Sequence, residues 1–88
     1  MAWRIEIIPA AARELRKLDR QAARRITAYL QEVVTSCSDP RERGRALTAN
    51  RVGLWRYRVG DYRVICALED DRLLVLVVRV AHRSEAYR

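Results

Sequence analysis

The chain has few of the side chains that a metal centre or a disulfide framework requires. Its 88 residues include one histidine and two cysteines, Cys37 and Cys66, which lie far apart in the sequence. A structural zinc site takes Cys or His ligands at short spacings, and disulfide-rich domains pair several cysteines. We therefore expect no metal, no cofactor and two reduced thiols, as is usual in the cytoplasm.

Long apolar runs are also missing. The longest uninterrupted one is Leu73–Val78, whereas a membrane-spanning helix needs about 20 apolar residues. Near the N-terminus, Arg4 and Glu6 stand where a signal peptide would have an apolar segment. The sequence thus predicts a cytoplasmic chain that makes no membrane contact.

Glycine and proline are scarce, with three and two residues, and neither a repeat nor a low-complexity tract is present. Gly44, Gly53 and Gly60 fit none of the glycine-rich patterns that hold phosphates in nucleotide-binding loops. No Ser, His and Asp order typical of a hydrolase triad is recognisable. A chain of this length makes one small domain, which we place at residues 1–88.

What the chain has in excess is positive charge. Lysine and arginine total 18 against 11 acidic residues, so the formal net charge is +7. A GC-rich gene would also enrich arginine, and the position of the arginines therefore carries more weight than their number. A concentrated excess favours a polyanionic partner, because neutralised phosphates release counterions. Residues 41 to 63 hold two acidic residues and seven arginines: Arg41, Arg43, Arg45, Arg51, Arg56, Arg58 and Arg63.

The first part of the chain predicts one strand and two helices. Trp3 to Ile8 alternates like a half-buried strand, and Pro9 suits the first position of a helix. We expect helices at about residues 9–18 and 20–35, separated at Asp19, a good N-cap; one kinked helix is the alternative. Apolar residues recur at intervals of about three or four positions and predict a core-facing stripe: Ala11, Leu15, Leu18, Ala22, Ile26, Tyr29, Leu30 and Val33.

Residues 36–52 have no sustained period and contain Asp39-Pro40, Gly44 and Asn50, which indicates a loop. We therefore place neither a strand nor a helix there. The arginines of this loop either frame a ligand groove or are simply solvated, and the sequence does not separate these alternatives.

A β-hairpin is predicted around Gly60-Asp61, a pair that suits a two-residue turn. With that turn, Arg58 lies directly opposite Arg63. We expect the apolar face of the hairpin to pack against the helices, since only this register buries its aromatic residues. That face holds Trp55, Tyr57, Val59, Tyr62, Val64 and Cys66, and the other face holds Arg56, Arg58 and Arg63.

Directly opposed like charges cost roughly 0.2–1 kcal/mol in a sheet, so Arg58 beside Arg63 indicates a functional site. An anion between them would offset the repulsion, and the planar fork of arginine fits pairs of phosphate oxygens. The alternative is that the arginine stems cover the sheet and the charged heads lie in water.

The end of the chain adds a third strand of this region and a polar tail. After the acidic turn at residues 69–71, Leu73–Val80 is apolar on both faces, as in a central strand or in a face that awaits a partner. Beyond it lie His82, Arg83 and Tyr87, which we expect at the rim of the arginine-bearing face. A proton carrier, a cation and a phenol suit metal-free RNA cleavage, in which the 2′-hydroxyl attacks the adjacent phosphate. The alternative for a lone histidine at a strand end is a surface or hydrogen-bonded residue.

The chain resembles the RelE/ParE superfamily of toxins from type II toxin–antitoxin systems, on the RelE side. The resemblance is carried by Trp-Arg-Tyr-Arg-Val-Gly-Asp-Tyr-Arg-Val at 55–64, the acidic turn, the valine-rich strand and Val-Ala-His-Arg-Ser-Glu-Ala-Tyr at 80–87. The opening strand and helices match too, so the similarity runs nearly end to end. It implies a small α+β domain of β-α-α-β-β-β order, with a mainly antiparallel sheet and a helical hairpin on one face.

The resemblance also implies an activity. Similar proteins enter the ribosomal A site, cleave mRNA without a metal to leave a 2′,3′-cyclic phosphate, and are neutralised by a small cognate antitoxin. By position, the implied catalytic residues are Arg63, Arg83 and Tyr87, and we expect both arginine heads to lie outside the core. The implied RNA-binding residues are Arg56 and Arg58, to which we add Arg45 and Arg51 from the arginine-rich loop.

Two departures from the family pattern affect these roles. Some relatives have lysines at the positions of Arg56 and Arg58, where they are proposed to help remove the 2′ proton. Arginine stays protonated and is a poor base, so His82 becomes the candidate base. Ala81 stands where the family often has glycine. The alternative functions are a ParE-like inhibitor of DNA gyrase, which would generally lack the arginine, histidine and tyrosine set, and a non-catalytic basic binding module.

Overall fold

The sequence folds into two helices and a five-stranded sheet. The computed structural model describes residues 2–47 and 53–84. This is the predicted α+β architecture with one additional short strand. In chain order the elements are β1 (Arg4–Ile7), α1 (Pro9–Arg16), α2 (Arg20–Ser36), β2 (Arg45–Ala46), β3 (Leu54–Val59), β4 (Tyr62–Glu69) and β5 (Leu74–His82), with 3-10 turns at Pro40–Glu42 and Asp70–Arg72.

The two helices are separate, as expected, and the alternative of one kinked helix is wrong. Pro9 opens α1, where its fixed φ suits the first helical turn and its missing N–H leaves no donor unpaired. Asp19 caps α2, because its carboxylate accepts a hydrogen bond from the Ala22 backbone N–H at 2.8 Å. The helices end at Arg16 and Ser36, within two residues of the predicted ends.

The strands form one sheet in the order β1-β5-β4-β3-β2. β1 runs parallel to β5, and the other neighbouring pairs are antiparallel. β5 thus has a strand on either side, in keeping with its apolar residues on both faces. The helices cover one side of the sheet, with α1 against β5 and α2 against β1 and β3.

The hairpin of β3 and β4 has the predicted register. Arg58 pairs with Arg63 and Tyr57 pairs with Val64 across the Gly60-Asp61 turn. Its apolar face packs on the helices, as predicted. The buried core on that side consists of Trp3, Ala11, Ile26, Leu30, Val33, Val34, Tyr57, Val59, Val64, Cys66, Val75, Val77 and Val80, with Trp55 and Tyr62 at its border.

Burial in this core raises the pKa of the two titratable side chains at its centre, Tyr57 and Cys66. Tyr57 is fully buried and donates its hydroxyl to the Pro40 carbonyl at 2.7 Å. Desolvation raises its pKa above the ordinary tyrosine value, and it raises the pKa of the Cys66 thiol to about 12. Cys66 and Cys37 are both free thiols.

One strand lies where the sequence predicted only loop, which is a correction. β2 pairs through Arg45 with Arg56 of β3. The pairing depends on Gly44, at φ 79°, because a Cβ at that position would collide with the Arg56 carbonyl oxygen. The Trp55 indole N–H fixes the same segment by donating to the Arg43 carbonyl at 2.6 Å. Since the partner strand comes later in the chain, no local period marks β2.

A β-bulge in β5 reverses the faces of the end of that strand. Cys66 pairs with Val77, whereas the residue before Cys66 pairs with Arg79, so Val78 is an extra residue on β5. Val77 packs in the helix-side core, and after the bulge Val80 does so. Every residue beyond Val78 therefore lies on the face opposite to the one that regular alternation would give.

Neither helix in the described ranges is long and apolar enough to cross a membrane.

Candidate nucleic-acid interface

The face of the sheet turned away from the helices has arginines from three neighbouring strands. Arg45 of β2 is paired with Arg56 of β3, and Arg58 of β3 is paired with Arg63 of β4. Because Arg56 and Arg58 are two residues apart on one strand, all four lie on the same face. We call this surface the arginine face, and it brings together four of the site residues expected from the sequence.

Arg63 is buried, although it lies outside the helix-side core as expected. The residue is 8% exposed, because β4 is the middle strand and Arg63 has Arg58 on one side and Ala81 on the other. Its Nε and Nη1 atoms are buried and have no hydrogen-bond partner among residues 2–47 and 53–84. Burial of an unpaired ion costs several kcal/mol, so a bound anion would stabilise this position more than any other on the arginine face.

Arg58 faces solvent directly beside Arg63. One exposed and one buried guanidinium thus stand side by side. Together they offer several N–H donors to one anion, and charge-assisted hydrogen bonds of this kind are the strong ones. The pair is suited to hold a phosphate whose charge increases during a reaction.

Arg83 lies at the same end of the sheet. Its backbone N–H donates to the Asp61 carbonyl at 2.7 Å, which fixes the start of the tail beside the turn between β3 and β4. The side chain is exposed, as expected for a residue outside the core. Its main chain is therefore close to Arg58 and Arg63, near the turn that joins their strands.

His82 is not on the arginine face, which corrects the expectation that it lies at its rim. It pairs with Tyr62, a residue of the helix side, and the two rings meet edge to face at 5.7 Å between centroids. Its Nδ1 lies 3.1 Å from the Ser84 hydroxyl and accepts from the Ser84 backbone N–H at 3.3 Å. The bulge at Val78 causes this placement, because it moves His82 to the helix side. The surface or hydrogen-bonded alternative describes this geometry better.

Two other expected site residues, Arg51 and Tyr87, lie outside the described residues. Their assignments therefore remain predictions.

A cleft of about 410 Å³ opens beside the arginine face and is lined by Tyr29, Gly44, Arg45, Arg56 and Arg58. Tyr29 was assigned from the sequence to the core stripe of α2. Part of it does pack on the core, where its ring meets Tyr57 edge to face at 5.9 Å. The sequence signal for this second role was the polar hydroxyl of Tyr29 in an otherwise aliphatic stripe, because a tyrosine commonly lies with its ring in the core and its hydroxyl at the solvent-exposed border.

Some arginines outside this face are already paired with acids. Arg41 binds Asp70 at 2.9 Å, and Arg43 binds Glu32 at 2.7 Å. The hydrogen bond from Arg41 lowers the pKa of the Asp70 carboxyl below its usual range. Within residues 2–47 and 53–84, no acidic side chain forms an ion pair with the arginine-face residues Arg45, Arg58 and Arg63. These three guanidinium groups therefore keep their positive charge available to an anionic ligand.

Metal ligands are not gathered in the described part of the chain. No group of three or more His, Cys, Asp and Glu side chains there is placed to hold a metal ion.

The sequence matches proteins of one family along nearly all of its length. Residues 5–87 match the family described as ParE toxin of type II toxin-antitoxin system, parDE. The chain is 30% identical over 86 residues to Toxin RelE of Mycobacterium tuberculosis, which covers 98% of this chain and 87% of that protein. It is 28% identical over 89 residues to Toxin RelG of the same organism, which covers 100% and 99%.

Solved structures with the same fold come from bacteria and archaea. The toxin–antitoxin complex RelBE2 from Mycobacterium tuberculosis gives a TM-score of 0.76 at 24% identity and covers 97% of this chain and 95% of that chain. The archaeal RelE–RelB complex from Pyrococcus horikoshii OT3 gives 0.74 at 24% identity, covering 98% and 100%. The isolated RelE toxin of E. coli gives 0.74 at 22% identity, covering 98% and 92%. At these identities the likeness shows the fold.

Proposed function

Since the chain belongs to the ParE toxin family of type II toxin–antitoxin systems, within the RelE/ParE superfamily, we propose that it is an mRNA endoribonuclease of the RelE type. It cleaves mRNA in the ribosomal A site of the cytoplasm, needs no metal, and thereby inhibits translation. The curated relatives named Toxin RelE and Toxin RelG favour this activity over the other activities of the superfamily.

One observation carries the proposal: the buried guanidinium of Arg63, with two nitrogen atoms unpartnered, beside the exposed Arg58. A solvated arginine surface that only improves solubility would have no reason to bury a cation without a partner. A phosphate completes the hydrogen bonds of Arg63 and reduces its repulsion with Arg58.

In the proposed reaction the 2′-oxygen of the RNA forms a bond to the adjacent phosphorus, and the bond from phosphorus to the 5′-oxygen breaks. The proton of the 2′-hydroxyl passes to solvent water and the leaving 5′-oxygen takes a proton from solvent, so the products are a 2′,3′-cyclic phosphate and a 5′-hydroxyl. Arg63 and Arg58 stabilise the charge on the crowded phosphorane, and Arg83 approaches from the adjacent turn. Tyr87 orients a base, as the resemblance implies. We assign no base role to His82, because its ring lies on the helix side of the sheet.

RNA binding spreads over the rest of the basic surface. Arg45 and Arg56 extend the arginine face along β2 and β3, and Arg51 is proposed as a further contact. These residues hold the backbone through charge, so the affinity for RNA should fall steeply with salt.

We further propose that a small cognate antitoxin, encoded beside this chain, neutralises it. Several solved relatives are complexes of RelE with RelB. An acidic segment over the arginine face would supply the missing anionic partners of Arg58 and Arg63 and exclude RNA. Co-expression with the neighbouring reading frame, followed by co-purification in low and high salt, tests this partner.

Expression of the chain alone, with mapping of mRNA ends in cells and on programmed ribosomes, tests the activity. The proposal requires growth arrest and new 5′-hydroxyl ends within codons. The matched family is named after ParE, which keeps gyrase inhibition as the second candidate. Intact mRNA together with inhibited supercoiling by purified gyrase would replace the first proposal with the second.

A further inference from the structure

The cleft beside the arginine face combines an aromatic wall with cationic walls. We propose that it is a nucleotide subsite, in which Tyr29 contacts the base of one nucleotide of single-stranded RNA while Arg45 and Arg58 hold its phosphates. This inference rests on the proposed function, and it names the part of the RNA that this surface takes: a nucleotide beside the one whose phosphate lies at Arg63.

The cleft exists because β2 is short. β2 covers the outer edge of β3 only as far as Arg56, and the chain then continues through a hydrogen bond from the Leu47 N–H to the Leu54 carbonyl. The remaining part of β3, which includes Arg58, has no neighbouring strand on that side among the described residues. Tyr29 of α2 therefore reaches the cleft past this uncovered edge, although α2 packs on the other side of the sheet.

The walls of the cleft are held in place by contacts of their own. Gly44 approaches β3 so closely that a Cβ would collide with the Arg56 carbonyl, the Trp55 indole and the Tyr57 ring. Arg43 lies 5.8 Å from the centre of the Tyr29 ring and is itself bound to Glu32 at 2.7 Å. The Tyr29 ring is thus positioned before any ligand arrives, which lowers the entropic cost of binding.

The chemistry of the walls selects a nucleotide rather than a bare phosphate. Cationic grooves hold the backbone of single-stranded nucleic acids, and aromatic side chains in such grooves contact the bases. The volume of about 410 Å³ lies within the usual range for a small-molecule site, about 300–1,000 Å³. A phosphate alone would leave the tyrosine wall without a contact.

A second cleft, of about 300 Å³, provides the comparison. It contains Tyr62, Lys17 and Arg79, but also Glu14 and His82. Glu14 accepts a hydrogen bond from the Val80 backbone N–H at 2.7 Å, so its carboxylate is fixed there and repels phosphate. Tyr62 is therefore the matched control for Tyr29: a half-buried tyrosine in a cleft that does not suit RNA.

The test measures the affinity of the purified chain by fluorescence anisotropy for two oligomers of equal length and charge. One is 2′-O-methyl RNA, which lacks the attacking hydroxyl, and the other has the sugar–phosphate backbone without bases. The wild type should prefer the base-containing oligomer by about tenfold, the usual scale of one aromatic contact to a base. Tyr29→Leu should reduce this preference about fivefold relative to the wild type, whereas Tyr29→Phe and Tyr62→Leu should keep it.

The salt dependence separates the base contact from the charge contacts. Tyr29→Leu should leave the slope of log affinity against log salt unchanged, and Arg45→Gln should reduce it by about 0.7 for both oligomers. As a measurement that does not depend on a variant, RNA with 4-thiouridine should form a photocrosslink to the wild-type peptide that contains Tyr29.

Equal affinity of the wild type for both oligomers, a preference that survives Tyr29→Leu, or a crosslink only elsewhere would overturn the subsite. Cleavage on programmed ribosomes decides the proposed function separately. A chain that cleaves RNA but shows no base preference refutes only the subsite, and a chain with the base preference but no cleavage refutes only the nuclease.

Discussion

The two faces of the hairpin formed by β3 and β4 contrast sharply although their residues alternate along the same strands. On the helix side, Tyr57 and Val64 are fully buried, and the Tyr57 hydroxyl is satisfied by the Pro40 carbonyl. On the other side, Arg63 is also buried, but two of its nitrogen atoms have no partner in the part of the chain that the structure describes. The hydrogen bonds of the first face are complete, whereas the buried guanidinium of the second lacks partners that an anion could supply. Burial by itself therefore does not distinguish a core residue from a ligand-binding one; hydrogen-bond satisfaction does.

The largest expected difference between the two faces is the effect on stability of substituting two adjacent residues of β3, one on each face. Tyr57→Ala should lower the free energy of unfolding by about 3–5 kcal/mol, since it leaves a large cavity in the core, and this is a large share of the total for such a domain. Arg58→Ala, one residue later but on the exposed face, should change it by less than about 0.5 kcal/mol. Urea denaturation of both variants measures this, and similar losses would contradict the assignment of the faces.

The next largest effect concerns the activity proposed for the arginine face. Arg63→Gln should slow cleavage of ribosome-bound mRNA by about 10²–10³-fold, equivalent to about 2.7–4 kcal/mol, because it removes a charge aimed at the reacting phosphate. Single-turnover cleavage measures the loss, with Arg72→Gln as a control, since Arg72 pairs with Glu69 at the acidic turn. Full activity of a variant that lacks both Arg63 and Arg83 would place the site elsewhere.

Substitution of Arg63 should also change the stability of the free protein. Arg63→Met should make the free protein more stable by about 1–3 kcal/mol, because it removes a buried, unpartnered cation and keeps the side chain volume. Inorganic phosphate should raise the melting temperature of the wild type and leave that of the variant unchanged. A destabilised Arg63→Met would mean that the guanidinium is satisfied in solution.

On the helix side, we expect Cys66 to have a smaller effect on stability, which appears at alkaline pH. Desolvation raises the pKa of Cys66 to about 12 in the folded chain, so the folded state binds the thiol proton more tightly than the unfolded state. The stability from this group is complete below the unfolded pKa and is lost as the pH rises through the folded pKa. The free energy of unfolding should fall by about 2 kcal/mol between pH 8 and pH 10. Denaturation of Cys66→Ala over this range should show a flatter profile, unless the thiol is more accessible than the fold suggests.

The smallest effect is expected at His82, because the bulge places it away from the arginine face. His82→Gln should leave the cleavage rate within about threefold and the pH profile unchanged, since the imidazole contacts Tyr62 and Ser84 rather than RNA. A rate profile measured from pH 5.5 to 8.5 tests this. Loss of a pKa near neutrality in the variant would restore His82 as the proton carrier.

Local patterns were enough for several features of the fold. The register of Arg58 against Arg63 follows from a two-residue turn and a period of two, both of which are visible within a short stretch. The break between the helices follows from Asp19, whose cap uses an N–H only three residues away. Non-local partners were not visible, and for that reason β2 was predicted as loop and Tyr29 as core alone.

The sequence by itself determined which hairpin residues share a face, because side-chain alternation and turn length are properties of the strand. It did not determine that Arg63 is buried, because this follows from the position of β4 in the middle of the sheet. The sequence also did not determine on which face of the sheet His82 lies. Regular alternation from Val77 would put the charged Arg79 into the helix-side core and His82 on the arginine face. The tertiary structure has one extra residue at Val78, and because the side-chain period of a strand is two, this single residue moves His82 to the helix side.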